Sequence, residues 1–131
     1  MRKFCSVMIA GAALAVAAGS AQSQGLHVVR PLSGYVCMAL NLTEQQMMDP
    51  TLRVLILDKP EASGRPIGDA IATVIASLSP PVNGYRRVLR LDGMPGWIST
   101  SLLKPWKNPG GNGQKCIPSM MSNGGLGFDY K

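Results

Sequence analysis

Residues 85–105 read YRRVLRLDGMPGWISTSLLKP and contain the clearest strand–turn–strand pattern in the chain. The first seven of these residues predict a strand whose side chains alternate between two faces. One face carries Tyr85, Arg87, Leu89 and Leu91, and the other carries Arg86, Val88 and Arg90. Asp92-Gly93 is a dipeptide that tight hairpin turns favour. Residues 96–99 then predict the returning strand, and residues 100–103 predict one helical turn.

Three further strands are predicted upstream, at residues 33–40, 52–57 and 71–77, because these runs are apolar and contain β-branched residues. Between the first two, Thr43 and Gln46 have the spacing of a capping box, which indicates one short helical turn. Residues 59–66 contain two prolines and a glycine and predict a loop.

The composition favours a single β-rich domain. The chain has 131 residues, of which 46% are hydrophobic and 15% charged, a balance that excludes a disordered charged tail. Its 15 glycines and 10 prolines favour short strands with many turns over a helix bundle. The chain contains a single histidine, and no motif for a cofactor or metal ion is present, so neither is expected.

The first 21 residues have the order of a secretory signal peptide. Arg2 and Lys3 precede an uncharged apolar run at 7–18, and small residues follow up to Ala21, after which we expect cleavage. The apolar run is shorter than the roughly 20 residues that a spanning helix needs, so no stable membrane anchor is expected after cleavage. These features predict a periplasmic or secreted protein. Its basic excess suits anionic envelope polymers, whereas the lack of a basic run argues against nucleic acid.

Cys37 and Cys116 both lie in the exported part, 79 positions apart, and Cys5 lies in the signal peptide. An even number of cysteines in an oxidising compartment favours one structural disulfide. A pair of reactive thiols is the alternative. It is disfavoured because Cys-x-x-Cys is absent and the single histidine, His27, lies near the start of the exported part.

The C-terminal part differs from the rest in composition. Residues 108–113 (NPGGNG) have the composition of a linker. Residues 119–131 show no defensible periodicity, so an irregular tail tethered by the disulfide is expected. The domain organisation predicted is a signal peptide at 1–21, a flexible lead-in at 22–30, a barrel at 31–107, and a linker and tail at 108–131.

Three short motifs resemble a bacterial Src homology 3 domain: GYRRV at 84–88, DGMPGWI at 92–98 and LLKP at 102–105. Residues 54–68, with Pro60 and Ile67-Gly68, resemble a further element of that family, although Leu57 stands where arginine is frequent. The resemblance spans roughly residues 52–105. It implies an all-β fold, a small closed Src-homology-3-like barrel of five to six short strands with one short helical turn and an irregular C-terminal tail.

The same resemblance implies a non-enzymatic, exported binding or accessory module that recognises cell-wall (peptidoglycan) peptides or an envelope protein partner. The Ala-Leu-Tyr-Asp-Tyr signature of proline-rich-peptide binders is absent. We predict that Tyr85, Arg87 and Trp97 lie near a ligand groove. The structural alternatives are that Trp97 and Tyr85 pack against the barrel and that the arginines form a solvated strand face.

Two other functions remain open at this point. Seven acidic residues are scattered along the chain, and two of them converging in a cleft would favour a small envelope hydrolase. A structural or inhibitory protein, whose tail occludes its own groove or the cleft of another protein, is the third possibility.

Overall fold

The computed structural model describes residues 25–131, so the predicted signal peptide at 1–21 lies outside the described residues. The regular secondary structure of this part of the chain is almost entirely β, with one helical turn, α1 (Glu44–Met47), and one 3-10 turn (Thr100–Leu102). The strands are β1 (Val28–Pro31), β2 (Tyr35–Leu40), β3 (Val54–Leu57), β4 (Pro66–Ala70), β5 (Val74–Ser77), β6 (Tyr85–Leu89), β7 (Pro95–Ser99), β8 (Leu103–Pro105), β9 (Cys116–Met121) and β10 (Leu126–Tyr130).

Seven of the strands form one antiparallel sheet in the order β4-β3-β7-β6-β5-β2-β8. Its outer strands, β4 and β8, do not pair with each other, so the prediction of a closed barrel is wrong. Both outer strands contain a proline, Pro66 in β4 and Pro105 in β8. A proline has no N–H to donate to a neighbouring strand, and this limits closure at both ends.

The hydrophobic core lies on one face of this sheet. Its buried members come from strands throughout the sheet: Leu40, Val54, Ile56, Val74, Ala76, Val88, Ile98 and Leu103. A flat sheet of seven strands would be about 29 Å wide, since neighbouring strands lie about 4.8 Å apart. One contiguous cluster therefore requires the sheet to curl around it.

The prediction of an irregular C-terminal tail is wrong. Residues 116–130 form the hairpin β9–β10, and β1 pairs with the other side of β9, giving a three-stranded sheet in the order β1-β9-β10. The predicted lead-in at 22–30 is therefore partly a strand. Tertiary pairing explains both differences, because β1 and β9 are remote in sequence and neither has a period that identifies its partner.

The predicted disulfide is confirmed, since Cys37 of β2 is bonded to Cys116 at the start of β9, with 6.0 Å between their Cα atoms. Cys37 pairs with Ile75 across β2 and β5, and both lie on the face opposite the core. They are nonetheless 3% and 1% exposed. The small sheet covers this face, so all four residues of β5 are buried.

Several local predictions are confirmed. Thr43 and Gln46 form both hydrogen bonds of the capping box. Gly93 has a φ of +87° in the β6–β7 turn, a conformation that glycine adopts without strain. The 3-10 turn occupies the segment predicted to be helical. Strand β4 has no counterpart among the predicted strands, because Pro66, its first residue, lies in the loop predicted at 59–66.

Candidate functional site

The three residues predicted to bind a ligand lie on one face of the seven-stranded sheet. Arg87 of β6 is the direct cross-strand partner of Trp97 of β7, and Tyr85 lies one pair further along, opposite Ser99. Arg87 is exposed, whereas Tyr85 and Trp97 are half-buried. The alternation predicted along residues 85–91 is therefore correct at its centre, where the next residue, Val88, is fully buried in the core.

This arrangement places a guanidinium, an indole and a phenol on one continuous surface. Trp97 also pairs with Leu57 of β3, so the row across three strands is Leu57, Trp97 and Arg87. The surface is a strand face and not a cavity. None of the three predicted residues lines either of the two clefts described below, and their role in binding stays a prediction.

The larger of these clefts, the main cleft, lies between the seven-stranded sheet and the C-terminal hairpin and has a volume of about 590 Å³. Its lining consists of residues 68–75, residues 89–92, Ile56, and the two aromatic side chains of β10, Phe128 and Tyr130. Volumes of this order are typical of sites that hold a small molecule or a short peptide.

Large apolar side chains at the rim of the main cleft are exposed to solvent. Ile71 is 86% exposed, Leu91 56% and Tyr130 48%. Single exposed apolar residues are ordinary on protein surfaces, but here three of them converge on one concavity. Burying Ile71 and Leu91 against a partner would contribute a favourable free energy of about 1.5–3 kcal/mol each.

The hairpin side of the main cleft is supported by packed aromatic rings. Phe128 and Tyr130 are two positions apart in β10, and their ring centroids lie 6.5 Å apart. Trp106, which follows β8, packs on Tyr130 at 5.9 Å with an interplanar angle of 35°. This contact joins the end of the seven-stranded sheet to the hairpin.

The charged groups of the main cleft are Arg90, Asp92 and Asp69, and the arginine already has partners. Arg90 donates from Nη1 to the carbonyl oxygen of Ile67 at 2.6 Å and from Nη2 to Asp92 Oδ2 at 2.8 Å. Among residues 25–131, the ion-pair partner of Asp69 is Arg53, with 3.7 Å from Oδ2 to Nε, and both side chains are well exposed. Exposed pairs at this distance contribute little, so Asp69 keeps its capacity to accept a cation.

The two carboxylates of the main cleft, Asp69 and Asp92, are both well exposed to solvent. Asp92 accepts the backbone N–H of Met94 at 3.0 Å as well as the Arg90 guanidinium, so it is engaged in the hairpin turn. The side chains of Asp69 and Asp92 are 40% and 52% exposed.

A second, small cleft of about 260 Å³ adjoins the main cleft, and residues 69–71 line both. Its other wall includes Met47 at the end of α1 and Asp49 in the following turn. The Thr51 hydroxyl and backbone N–H donate to Asp49 at 2.7 and 2.9 Å, and these hydrogen bonds lower the pKa of that carboxyl. Ile71 thus lies where the two clefts join into one groove.

Sequence reasoning missed the residues that line this groove. Ile71 is the first residue of the strand predicted at 71–77, whereas β5 begins only at Val74, and Phe128 and Tyr130 lie in the segment predicted to be an irregular tail. A signal for β10 was present in the alternation of aromatic residues with Gly127 and Asp129, which is the period of a strand. The position of that strand relative to Ile71 had no local signal.

Comparison with family models, curated proteins and solved structures found no match to this chain. Within residues 25–131, no group of three or more His, Cys, Asp or Glu side chains is arranged to hold a metal ion. Over the same residues, no helix has both the length and the apolar character needed to cross a membrane.

Proposed function

We propose that this protein is an exported, non-enzymatic binding module that holds a peptide in the main cleft. The peptide belongs either to the cell wall or to a protein partner in the bacterial envelope. The observation that carries the proposal is the concavity between the sheet and the hairpin, where the exposed side chains of Ile71, Leu91 and Tyr130 meet. Such a site gains free energy by burying these side chains against a ligand.

The relation to bacterial Src homology 3 domains is part of this proposal. The three motifs that carry the resemblance fold as the β6–β7 hairpin, the 3-10 turn and the closing strand β8. A hydrophobic core on the inner face of a curled sheet supports the same relation. The open edges and the added three-stranded sheet are features of this chain.

Export is supported by the disulfide and by the order of residues 1–21. A bond between Cys37 and Cys116 is stable in an oxidising compartment such as the periplasm. If the chain is exported and cleaved after Ala21, the N-terminus of the protein recovered from the periplasm will be Gln22. Intact-mass measurement of that protein tests this, and a chain retaining residues 1–21 in the cytoplasm contradicts it.

Binding in the main cleft is tested with a matched pair of surface variants. Ile71→Lys places a charge at the rim of the main cleft, and Leu78→Lys places one at another exposed apolar position, 64% exposed and outside both clefts. Neither residue belongs to the core, so both variants should fold as the wild type does. The immobilised proteins are incubated with peptidoglycan fragments from a muramidase digest and, separately, with periplasmic extract.

We expect the wild type and Leu78→Lys to retain the same fragments or the same protein, and Ile71→Lys to lose at least about tenfold in affinity. Equal retention by all three proteins, or no retention by any, contradicts binding in the main cleft. Cleavage of the fragments that is lost in Asp69→Asn would instead favour the hydrolase alternative.

A further inference from the structure

The outer edge of β10 has backbone hydrogen-bonding groups that point towards the main cleft. Gly125 and Lys131, which flank β10, both bond to the β9 side, Gly125 to Met121 at 2.9 Å and Lys131 to Lys115 at 2.7 and 3.0 Å. Successive residues of a strand direct their N–H and C=O groups to opposite sides. The even-numbered residues Leu126, Phe128 and Tyr130 therefore direct theirs away from β9.

The first backbone donor on this outer edge, the Leu126 N–H, already has a hydrogen-bond partner. The Leu126 N–H donates to the carbonyl oxygen of Leu91 at 2.8 Å, and Leu91 lines the main cleft. Two residues further along, the N–H and C=O of Phe128 have no hydrogen-bond partner among residues 25–131. Since Phe128 and Tyr130 also line the cleft, the strand edge diverges from Leu91 and leaves an open ladder position beside the cavity.

The other three edge strands of the described sheets each have a proline at one end. The edges are β1, β4, β8 and β10, and the first three contain Pro31, Pro66 and Pro105. A proline has no backbone donor, and prolines at edges oppose the addition of further strands. Strand β10 contains no proline, so every residue of this edge strand has a backbone N–H.

The chemistry of the cleft indicates what this edge would pair with. Unpaired amide and carbonyl groups at a strand edge are complemented by the backbone of an extended peptide. The side chains of Ile71 and Leu91 suit apolar residues at alternate positions of such a strand. Arg90 and Asp92 bond to each other at 2.8 Å, whereas Asp69 has an exposed 3.7 Å contact with Arg53, so the Asp69 carboxylate is the charge best placed to be complemented by a basic side chain.

A second copy of this chain fits the edge less well. Copies that paired through β10 would form a symmetric contact, so each copy would also bring its own Ile71 wall to the same place. The cleft of about 590 Å³ admits one short strand and not a second wall.

We propose that β10 receives an extended peptide segment as an added strand, with apolar alternate side chains and one basic side chain opposite Asp69. This inference rests on the proposed function and names the mode of recognition within the same cleft.

The first test uses a seven-residue probe peptide of alternating valine and threonine with a central lysine, acetylated and amidated at its ends. Binding to the disulfide-bonded protein is followed by intrinsic tryptophan fluorescence, to which Trp106 contributes beside the cleft because it packs on Tyr130. Two control peptides are used. The first has the same side chains but is N-methylated at alternate backbone amides, and the second has glutamate in place of the central lysine. We expect N-methylation to weaken binding at least about tenfold, because backbone bonds are lost, and glutamate to weaken it about threefold.

The second test changes the protein edge alone. Synthetic residues 116–131 are ligated at Cys116 to a thioester of residues 22–115, and the full chain is then oxidised. An ester at the Phe128 amide removes the outward N–H but keeps the ring, whereas an ester at Asp129 removes an N–H that points to β9. We expect the first to weaken binding of the lysine probe about three- to tenfold, and the second to leave it unchanged in protein shown to be folded by circular dichroism.

Three outcomes overturn the proposal. The first is equal affinity of the protein for the N-methylated peptide and its parent. The second is unchanged affinity of the Phe128 ester protein for the lysine probe, and the third is a Kd for the lysine probe above about 1 mM. Any one of these results excludes strand addition. A dimer in sedimentation that the Phe128 ester dissociates would assign the edge to a second copy. The proposed function is judged separately, by retention of natural fragments and its loss in Ile71→Lys.

Discussion

Loss of the Cys37–Cys116 bond should be the most costly single perturbation of this fold. The bond closes a loop of 79 positions, and the chain entropy released on its removal corresponds to about 4.5 kcal/mol at 25 °C. Small domains have free energies of unfolding of about 5–15 kcal/mol, so this loss is a large fraction of the total. For a chain of this size we expect Tm to fall by about 20 °C.

The measurement compares the oxidised wild type, the reduced wild type, and the double variant Cys37→Ala/Cys116→Ala in thermal and urea unfolding. The reduced wild type isolates the cross-link, because it keeps both sulfur atoms. The double variant should be less stable still by about 1 kcal/mol, since Cys37 is only 3% exposed and alanine leaves a small void. Hydrogen exchange should accelerate in β9 and β10 before it does in β6 and β7.

The reasoning is refuted if both disulfide-free proteins unfold within about 1 kcal/mol of the oxidised protein. That result would mean that non-covalent contacts hold the hairpin, such as the bond from Leu126 N–H to Leu91 and the bond from Leu32 N–H to Pro118, both 2.8 Å. Uniform exchange over both sheets would further show that the hairpin and the body unfold as one unit.

Three more predictions concern close packing, pH and the arginine of the main cleft. Gly96→Ala should lose about 1–3 kcal/mol in urea unfolding, because a Cβ there would overlap the Ile56 side chain; wild-type stability would contradict this. The pKa of Asp49, followed by NMR, should lie below the ordinary aspartate range, since Thr51 donates to the carboxylate. The stability that this carboxylate contributes is present above its pKa in the unfolded chain and is lost as the pH falls through its pKa in the folded protein. Asp49→Asn should remove this pH dependence of the free energy of unfolding. Arg90→Lys should lower the free energy of unfolding by about 1–2 kcal/mol, since one ammonium group does not reproduce the two contacts of the guanidinium with Ile67 and Asp92. An unchanged midpoint of urea unfolding would count against a structural role for Arg90.

Local chemistry made part of the structure predictable. The β6–β7 hairpin followed from the alternation around Val88 and from the Asp92-Gly93 turn, and both depend on neighbours in sequence. The capping box of Thr43 and Gln46 is likewise contained within four residues. The disulfide was predictable because the part of the chain after the predicted signal peptide has only two cysteines.

The main cleft was not predicted from the sequence. Tyr85, Arg87 and Trp97 were expected near a ligand groove, and the register places them together on one sheet face. The main cleft lies elsewhere, because the hairpin covers the far end of that face over Ile75. A period of two identifies the residues that share a face, but it contains no information about what covers that face.

By itself, the sequence determined a β-rich chain, its central hairpin, its helical turn and its cysteine pair, since each depends on short-range geometry or on composition. Only the tertiary structure decided that the sheet stays open, that residues 116–130 form a hairpin, and that β10 lies beside Leu91. These features depend on pairing between segments distant in sequence. The free energy of such pairing comes from surfaces that meet only when the chain is folded.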